Sequence, residues 1–317
     1  MLKIAHRADG TVRNVHLGGW RKQHTDMRDE TYKLKLHGAF TKNPASCDNR
    51  PVCSTVEDQG DLGSCTANMF AALVESNEIR GAGKSGLHAA PVPTVTTSAV
   101  QVDANGAVSF LTTVRTTTAP VPAPPAPAPP APKLVQVSRL FEYYATRRIE
   151  GTVGEDSGAT IRDAIKAGVK YGVADEAAYP YDVSKFTQNP PAGIWTQAST
   201  HKVTSYHAVS DGDVETMKSV LASGYLVGFG FQVYDYFMSA DMAKKGVLPV
   251  PGPGESLQGG HAVCLAGYDD ARKAFLVRNS WGANWGAVGY FWMAYDYVAN
   301  PRLCSDFWVV NSSPVGG

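Results

Sequence analysis

Four residues carry side chains that together could break an amide bond, and the first of them is a cysteine. Cys65 follows Gly63 and Ser64 and opens an apolar-periodic run that predicts a helix. At a helix N-terminus the macrodipole and the unpaired N–H groups favour the thiolate, which is the nucleophilic form. Gln59, upstream of it, could donate an N–H to the oxyanion formed at the attacked carbon. Taken alone, such a cysteine more often starts a core helix.

A base and its partner follow near the C-terminus. His261 suits a cysteine nucleophile because the unperturbed pKa of histidine is close to neutrality. The carbonyl of Asn279 could accept the proton on the other ring nitrogen, and Trp281 could shield that hydrogen bond from water. Each residue alone has an ordinary structural explanation. The order Gln, Cys, His, Asn, with Trp shortly after Asn, indicates a site for nucleophilic acyl transfer.

These segments resemble the papain family of cysteine peptidases, in a layout closest to a bacterial branch of that family. The matching segments are Asp58-Gln59-Gly60, Gly63-Ser64-Cys65, His261-Ala262-Val263 and Asn279-Ser280-Trp281-Gly282. The resemblance covers about 45–80 and 138–312. It implies a thioester on Cys65, His261 as base and acid, Asn279 as the orienting group, and Gln59 in the oxyanion hole.

Two departures from the family pattern lie beside the nucleophile. Leu62 stands where a cysteine is expected and Thr66 where an aromatic residue is usual. The disulfide that the family forms at this point therefore cannot form. We expect packing around Leu62 and Thr66 to hold the segment in place.

The spacing between the motifs predicts an insertion. In papain-like enzymes the histidine and asparagine follow the cysteine by about 130–150 residues. Here the separations are 196 and 214 residues, and removing the 57 residues of 81–137 leaves 139 and 157. That segment is rich in Thr and Pro, and its tract 119–132 has the composition of an extended polyproline spacer. Within it, a turn at 103–106 is predicted between two strand-forming runs.

Hydrophobic periodicity predicts an α+β protein with helices first and strands afterwards. The predicted helices are 64–80, 139–150, 158–171 and 213–223, and the predicted strands are 226–233, 261–268, 274–279, 288–293 and 306–311. The helical half thus carries Cys65, and the β half carries His261 and Asn279. The resemblance implies the papain-like two-lobed fold, with a mainly helical N-terminal lobe, an antiparallel β-barrel-like C-terminal lobe and the active site in the cleft between them.

The resemblance also implies a set of substrate-binding residues. They are Ser157, Gly158, Gly230, Gly259, Gly260, Ala262, Trp281 and Ser305, with Gly228 beside them. The glycines predict a roomy pocket and close approach of an extended peptide, or else only closely packed strands. Asp306 could let the pocket accept arginine, or its side chain could point outward.

Residues 1–44 form an N-terminal extension to a peptidase domain that spans 45–317. The extension is mixed in polarity and contains Gly18-Gly19-Trp20. Two hypotheses compete for it. It is either a surface strap, or a propeptide-like segment that covers the cleft and restrains activity. If it restrains activity, deleting residues 1–40 should raise turnover.

Composition excludes several other classes of function. The formal net charge is zero, with 29 basic and 29 acidic residues, so we expect no nucleic-acid partner. No apolar run approaches the roughly 18 residues that cross a bilayer, and we expect no membrane partner. No histidine spacing predicts a metal site, and no cofactor is implied. The N-terminal sequence lacks the apolar core of a secretory signal, so we expect a cytoplasmic compartment or export by a non-classical route.

The chain has five cysteines, an odd number that leaves at least one of them unpaired. With Cys65 free, the other four cysteines are Cys47, Cys53, Cys264 and Cys304, and they allow three pairings. We expect a reduced protein in which Cys264 is a small buried apolar residue facing away from His261. We also expect a monomer that acts on a peptide or protein substrate.

The predicted function is a cysteine endopeptidase, and two alternatives remain open at this point. One is a catalytically impaired papain fold used as a binding module. The other is an acyltransferase that uses the same Cys–His pair, because the choice between water and an amine acceptor depends on hydration of the cleft.

Overall fold

The computed structural model describes residues 2–24, 26, 29–31, 43–83, 100–102, 108–110 and 136–312, with backbone only at 83, 100–102 and 108–110. The chain divides into two compact units, one of 1–81 with 134–317 and one of 82–133. The site lies in the first unit. The tract 119–132 and most of the predicted insertion lie outside the described residues.

Seven helices and twelve strands are present in these described ranges. The helices are α1 Cys65–Gly83, α2 Arg139–Glu150, α3 Ile161–Lys170, α4 Ala192–Ala198, α5 Val214–Ala222, α6 Ala240–Lys245 and α7 Tyr295–Val298. The strands are β1 Leu2–His6, β2 Val12–His16, β3 Ser46–Asp48, β4 Val100–Val102, β5 Val108–Phe110, β6 Val203–Val209, β7 Val227–Tyr234, β8 Val247–Leu248, β9 Leu257–Asp269, β10 Ala274–Arg278, β11 Tyr290–Ala294 and β12 Cys304–Ser312.

The predicted helices and strands are confirmed, with shifts at their ends. Ser138 and Asp213 cap α2 and α5 with their side chains. α3 begins later than predicted because the Thr160 side chain accepts a hydrogen bond from Asp163 N and caps it there. Gly81 and Gly83 are both expected to terminate α1, and the helix continues through Gly81 and ends at Gly83. In the second unit, β4 and β5 pair antiparallel on either side of the predicted turn.

One large sheet carries the histidine and the asparagine. Its order is β6-β12-β7-β9-β10-β11-β8, with β3 on β9. The pairs are antiparallel except β11–β8, which is parallel. Along the described path the sheet has two ends, β6 and β8, so it is an open sheet rather than the barrel-like sheet expected.

β9 separates two hydrophobic cores because its side chains alternate between the two faces of the sheet. Val263 and Leu265 face a core built with β7, β12 and α5. Ala262 and Cys264 face a core built with α1 and α3. Cys264 is therefore buried on the face opposite His261, as predicted. All five cysteines are free thiols.

The N-terminal strands form a hairpin, which the sequence did not predict. β1 pairs antiparallel with β2 in the register Leu2↔His16. Ala5, Val15 and Leu17 are buried in the core on the Val263 side of β9. No helix among the described residues is long and apolar enough to cross a membrane.

Two short segments of backbone join the start of the helical lobe to the sheet, and we call them the clasp. Residues 57–59 run antiparallel to residues 280–282, with a bridge between Asp58 and Trp281. Gln59 N donates to Ser280 O at 2.9 Å, and Gly282 N donates to Glu57 O at 2.9 Å. The clasp therefore fixes the oxyanion candidate relative to the residues that follow Asn279.

Candidate active site

Cys65 is the first residue of α1 and is completely buried. The backbone N–H groups of Ala262, the residue after His261, and of Thr66 favour the ionised thiol and lower its pKa, against the larger effect of burial. The thiol thus lies at the junction of α1 with β9. The segments that carry Cys65 and His261, which are far apart in the chain, meet at this junction.

His261 is held by Asn279. His261 Nε2 lies 2.8 Å from Asn279 Oδ1, which also accepts the backbone N–H of Ser280 at 2.8 Å. Because Ser280 N can only donate, the Asn279 atom is the carbonyl oxygen, and Nε2 carries the proton. His261 Nδ1 is buried and makes no hydrogen bond to the described protein atoms. It is the nitrogen left to act as a base.

Trp281 covers the histidine. Its ring centroid lies 5.2 Å from that of His261, and the indole is 2% exposed. Phe237 packs against both rings. The histidine–asparagine hydrogen bond is therefore shielded by aromatic side chains.

Gln59 is also buried and fixed. Its Nε2 donates to Leu62 O at 3.0 Å, and its Oε1 accepts from Ser280 Oγ at 2.6 Å. An amide nitrogen has two N–H groups, so one remains for an oxyanion. Leu62 and Thr66 are buried beside it.

The N-terminal segment passes directly over the thiol. A methyl group added to Gly19 would lie 2.8 Å from Cys65 Sγ and 2.7 Å from Gly63 O. Gly18 N donates to Gly260 O at 2.9 Å, and Ala159 N donates to Gly19 O at 2.9 Å. Arg21 N donates to Ala159 O at 3.0 Å, in a parallel bridge centred on Trp20. A turn of peptide backbone at 17–19, with Gly18 at φ +100°, is therefore seated across Cys65.

Trp20 fills the pocket predicted for a substrate side chain. Added methyl groups on Gly230 and Gly260 would lie 2.0 and 2.7 Å from its ring, so only glycine leaves room for it. Its Nε1 donates to Asp306 Oδ2 at 3.0 Å. Asp306 thus points into the pocket, and burial raises its pKa to about 6.

Most of the other predicted substrate residues border the same segment. Gly158 has φ +65°, and a methyl group there would lie 2.4 Å from Gly18 O; one on Gly259 would lie 2.9 Å from Leu17 Cβ. Ala262 and Ser305 are buried, and Ser305 pairs with Gly230.

Two residues named with the substrate set do not contact the N-terminal segment, and one residue outside the set does. Gly228 lies elsewhere, because a methyl group on it would meet Met69 of α1 at 2.3 Å. Ser157 Oγ bonds Thr152 and the Gly158 carbonyl rather than the segment. Sequence reasoning missed Ala159, whose N–H and C=O form the backbone hydrogen bonds to Gly19 and Arg21.

The sequence also gave no signal for two anchors of the N-terminal segment. His16 Nδ1 lies 2.7 Å from Asp156 Oδ2. Burial opposes ionisation of Asp156, but hydrogen bonds from His16 and Tyr143 outweigh it and lower its pKa. Arg13 contacts Asp58 and the carbonyls of Gly60 and Trp281. Such pairs depend on how the hairpin docks, which local sequence does not encode.

Burial keeps the catalytic candidates uncharged in this state. It raises the pKa of Cys65 to about 12, against the opposing effect of the N–H groups of Ala262 and Thr66. It lowers the pKa of His261 to about 4, against the hydrogen bond to Asn279. In the covered site burial therefore disfavours the expected thiolate, because desolvation outweighs the helix N-terminus.

Among the described residues, no group of three or more His, Cys, Asp or Glu side chains could hold a metal ion. The chemistry available in the site is a thiol, an imidazole oriented by an amide, and N–H donors for an oxyanion. That set, in a cleft that already holds a segment of peptide backbone, defines an acyl-transfer site of the cysteine peptidase class.

Comparisons with known proteins agree with this class. The model of the papain family cysteine protease matches residues 151–305. The structure of xylellain, a cysteine protease from Xylella fastidiosa, is 30% identical, covers 98% of each chain and has a TM-score of 0.71. The chain belongs to the papain family of cysteine peptidases.

Two other matches are more partial. An uncharacterized peptidase C1-like protein of Acanthamoeba polyphaga mimivirus is 44% identical over 180 residues, which is 55% of this chain and 58% of that protein. The chain therefore spans little more than half the length of this relative. Digestive procathepsin L2 of Tenebrio molitor has a TM-score of 0.62 at 20% identity, covering 93% of this chain and 78% of that one, which shows the shared fold.

Proposed function

We propose that the protein is a cysteine endopeptidase that hydrolyses peptide bonds through a thioester on Cys65. The observation that carries the proposal is the N-terminal segment, whose backbone is seated across the thiol beside the oriented His261 and the Gln59 amide. A site that already holds a peptide backbone by hydrogen bonds is suited to a peptide substrate.

Each half of the reaction needs two proton transfers through His261, and the second half consumes one water molecule. Cys65 Sγ adds to the scissile carbonyl carbon while its proton is held on His261 Nδ1. The backbone N–H of Cys65 and the remaining N–H of Gln59 stabilise the oxyanion. The C–N bond then breaks as His261 returns the proton to the leaving amine. Water attacks the thioester with His261 as base, releasing the acid and the thiol.

We propose further that residues 1–44 restrain this activity. Gly19 occupies the position next to Sγ where a scissile carbonyl would have to lie. When the segment leaves, water reaches the thiol and the imidazole, and the desolvation that separates their pKa values falls. The pKa of Cys65 then drops and that of His261 rises, which favours the thiolate–imidazolium pair.

The substitution Gly19→Ala in the full chain tests both ideas. The added methyl group has no room between Gly63 O and Cys65 Sγ, and both belong to fixed structure. We expect hydrolysis of a fluorogenic peptide library to rise at least about tenfold over the wild type, because the covered state is destabilised by a clash of a few kcal/mol.

Gly154→Ala is the matched control, since a methyl group there meets nothing within 4 Å, and it should not change the rate. Cys65→Ala in the Gly19→Ala chain should abolish hydrolysis. Hydrolysis that survives this change would refute the proposed nucleophile. Transfer of the acyl group to an added amine in preference to water would favour the acyltransferase alternative.

A further inference from the structure

We infer that Asp58 and the carbonyl groups of Gly60 and Trp281 form a guanidinium site that selects peptides with arginine on the leaving-group side of the scissile bond. Arg13 of the N-terminal hairpin fills this site in the covered state. The inference rests on the proposed function, and it adds a substrate preference to it.

The contacts of Arg13 describe a complete recognition site. Its Nη1 donates to Asp58 Oδ2 at 2.8 Å and to Trp281 O at 3.1 Å, and its Nη2 donates to Gly60 O at 2.9 Å. Nη2 also lies 2.6 Å from Asp58 Oδ1. The carboxylate is thus engaged by both ends of the guanidinium fork, which is the strong bidentate arrangement.

The acceptors are positioned by backbone and not by Arg13. Asp58 and Trp281 are paired in the clasp, and Asp58 Oδ1 also accepts Gly60 N at 2.8 Å. Gly282 has φ +76°, and a methyl group on it would lie 3.4 Å from Asp58 Oδ2. The site therefore persists when Arg13 departs, and it then presents a carboxylate and two carbonyl oxygens with no cation between them.

Its location assigns it to the leaving-group side. The ring of Trp281 packs against that of His261 at a tilt of 36°. Because His261 gives its proton to the departing amine, we expect the peptide beyond that amine to run along Trp281. The pocket of Trp20, with Ala159 beside it, lies along the other part of the segment. The charge of Arg13 also lowers the pKa of His261, behind burial, which places the guanidinium within electrostatic reach of the catalytic candidates.

Arginine fits this site better than any other side chain. Three oxygen-bearing groups in a fork match the planar guanidinium, whereas a lysine ammonium is a point donor and cannot pair both carboxylate oxygens in the same plane. Citrulline has the shape of arginine without its charge, so it separates charge pairing from packing.

The test uses the full chain with Arg13→Ala and Gly19→Ala, which empties the site and uncovers the thiol. Four fluorogenic peptides differ at one leaving-side position, as Arg, Lys, citrulline or Leu, and each register of that position is assayed. We expect kcat/KM for the arginine peptide to exceed that for citrulline by about tenfold or more in one register, as charged hydrogen bonds require.

Adding Asp58→Asn should reduce the arginine-to-citrulline ratio to below about twofold. Asp61→Asn removes a nearby exposed carboxylate that makes no contact with Arg13 in the described structure, and it should leave the ratio intact. Equal rates for arginine and citrulline in every register, or a ratio that survives Asp58→Asn, would overturn the inference while leaving the peptidase in place.

Binding provides a second measurement that does not depend on turnover. In the same chain with Cys65→Ala, the arginine peptide should bind about tenfold more tightly than the citrulline peptide by fluorescence anisotropy. Equal affinities would contradict the site. If no peptide is hydrolysed but arginine binds preferentially, the proposed function fails and the guanidinium site stands.

Discussion

At the residue scale, the orientation of one imidazole depends on one amide oxygen. Asn279 Oδ1 accepts from both His261 Nε2 and Ser280 N. His261 packs against aromatic rings, and its Nε2 makes no other hydrogen bond in the described structure. Asn279 therefore acts as a positioning residue, through the tautomer and angle of His261.

Asn279→Ala should lower kcat about 10–100-fold in the Gly19→Ala chain, a part of the 10²–10⁴-fold that acid–base catalysis supplies. It should also cost about 1–3 kcal/mol of unfolding free energy, because a buried N–H loses its partner. Peptide hydrolysis and urea unfolding measure the two effects. Asn284→Ala, at an exposed position, is the control, and an equal loss there would contradict the role.

Asp306 predicts a pH dependence of stability. Its pKa is raised from 3.8 to about 6 by burial, so the folded protein holds this proton where the unfolded chain has released it. The protonated Asp306 carboxyl therefore contributes fully to the free energy of unfolding below pH 3.8, and this contribution is lost as the pH rises through 6. The free energy of unfolding of Asp306→Asn, relative to that of the wild type, should therefore increase by up to about 3 kcal/mol between pH 3.5 and pH 8.

Urea unfolding of both proteins at the two pH values checks this prediction. Asp61→Asn, at an exposed position, should show no comparable change. A constant difference between Asp306→Asn and wild type would mean that Asp306 ionises normally in the folded state.

Motifs with short spacing made some site residues predictable. Cys65, His261 and Asn279 each sit in a run whose residue types carry the chemistry. Arg13 and Trp20 could not be paired with Asp58 and Asp306, because 45 and 286 residues separate the partners. The charge state of Cys65 could not be predicted from the sequence either, because it depends on the segment that covers the thiol.

At the element scale, close packing decides whether replacing a helical glycine by alanine stabilises or destabilises the protein. Gly168 lies inside α3, and a methyl group there would meet Phe70 Cζ at 2.3 Å. Gly193 lies inside α4, where a methyl group meets nothing within 4 Å. The two glycines have the same propensity and opposite surroundings.

Gly193→Ala should stabilise the protein by about 0.5–1 kcal/mol, through reduced backbone entropy in the unfolded chain. Gly168→Ala should destabilise it by about 1–3 kcal/mol, because the added methyl group would force the fully buried ring of Phe70, on α1, to shift. Urea unfolding of the two variants measures both. A gain at both positions would show that α3 can move away from α1.

Elements with local signals were predicted and elements that depend on partners were not. α2, α3 and α5 have capping side chains within their own sequence, so their ends could be read to within three residues. β1, β2 and β8 have no such signal, and β8 is a two-residue strand defined by its parallel pairing with β11. The open sheet follows from such edge pairings.

At the scale of the whole molecule, the N-terminal segment belongs to the core as well as to the cleft. Ala5, Val15 and Leu17 are buried in one core, and Trp20 is buried in the other. Its removal should therefore uncover the site and also expose apolar surface elsewhere.

Deleting residues 1–40 should raise peptide turnover and lower the melting temperature by at least about 5 °C, since each buried apolar side chain contributes about 1.5–3 kcal/mol. Calorimetry and peptide hydrolysis measure the two effects. A synthetic peptide of residues 2–24 should restore inhibition and part of the stability. Unchanged or lower turnover would refute the restraint.

The backbone amides of the clasp should exchange with solvent more slowly than those that hold the N-terminal segment. Gln59 N and Gly282 N are bonded across the clasp, independently of the N-terminal segment. Gly18 N and Ala159 N are bonded only through it. In deuterated solvent the second pair should exchange at the rate at which the segment lifts, and the first pair only when the molecule opens more widely. Activation would then be local detachment from a scaffold that stays closed.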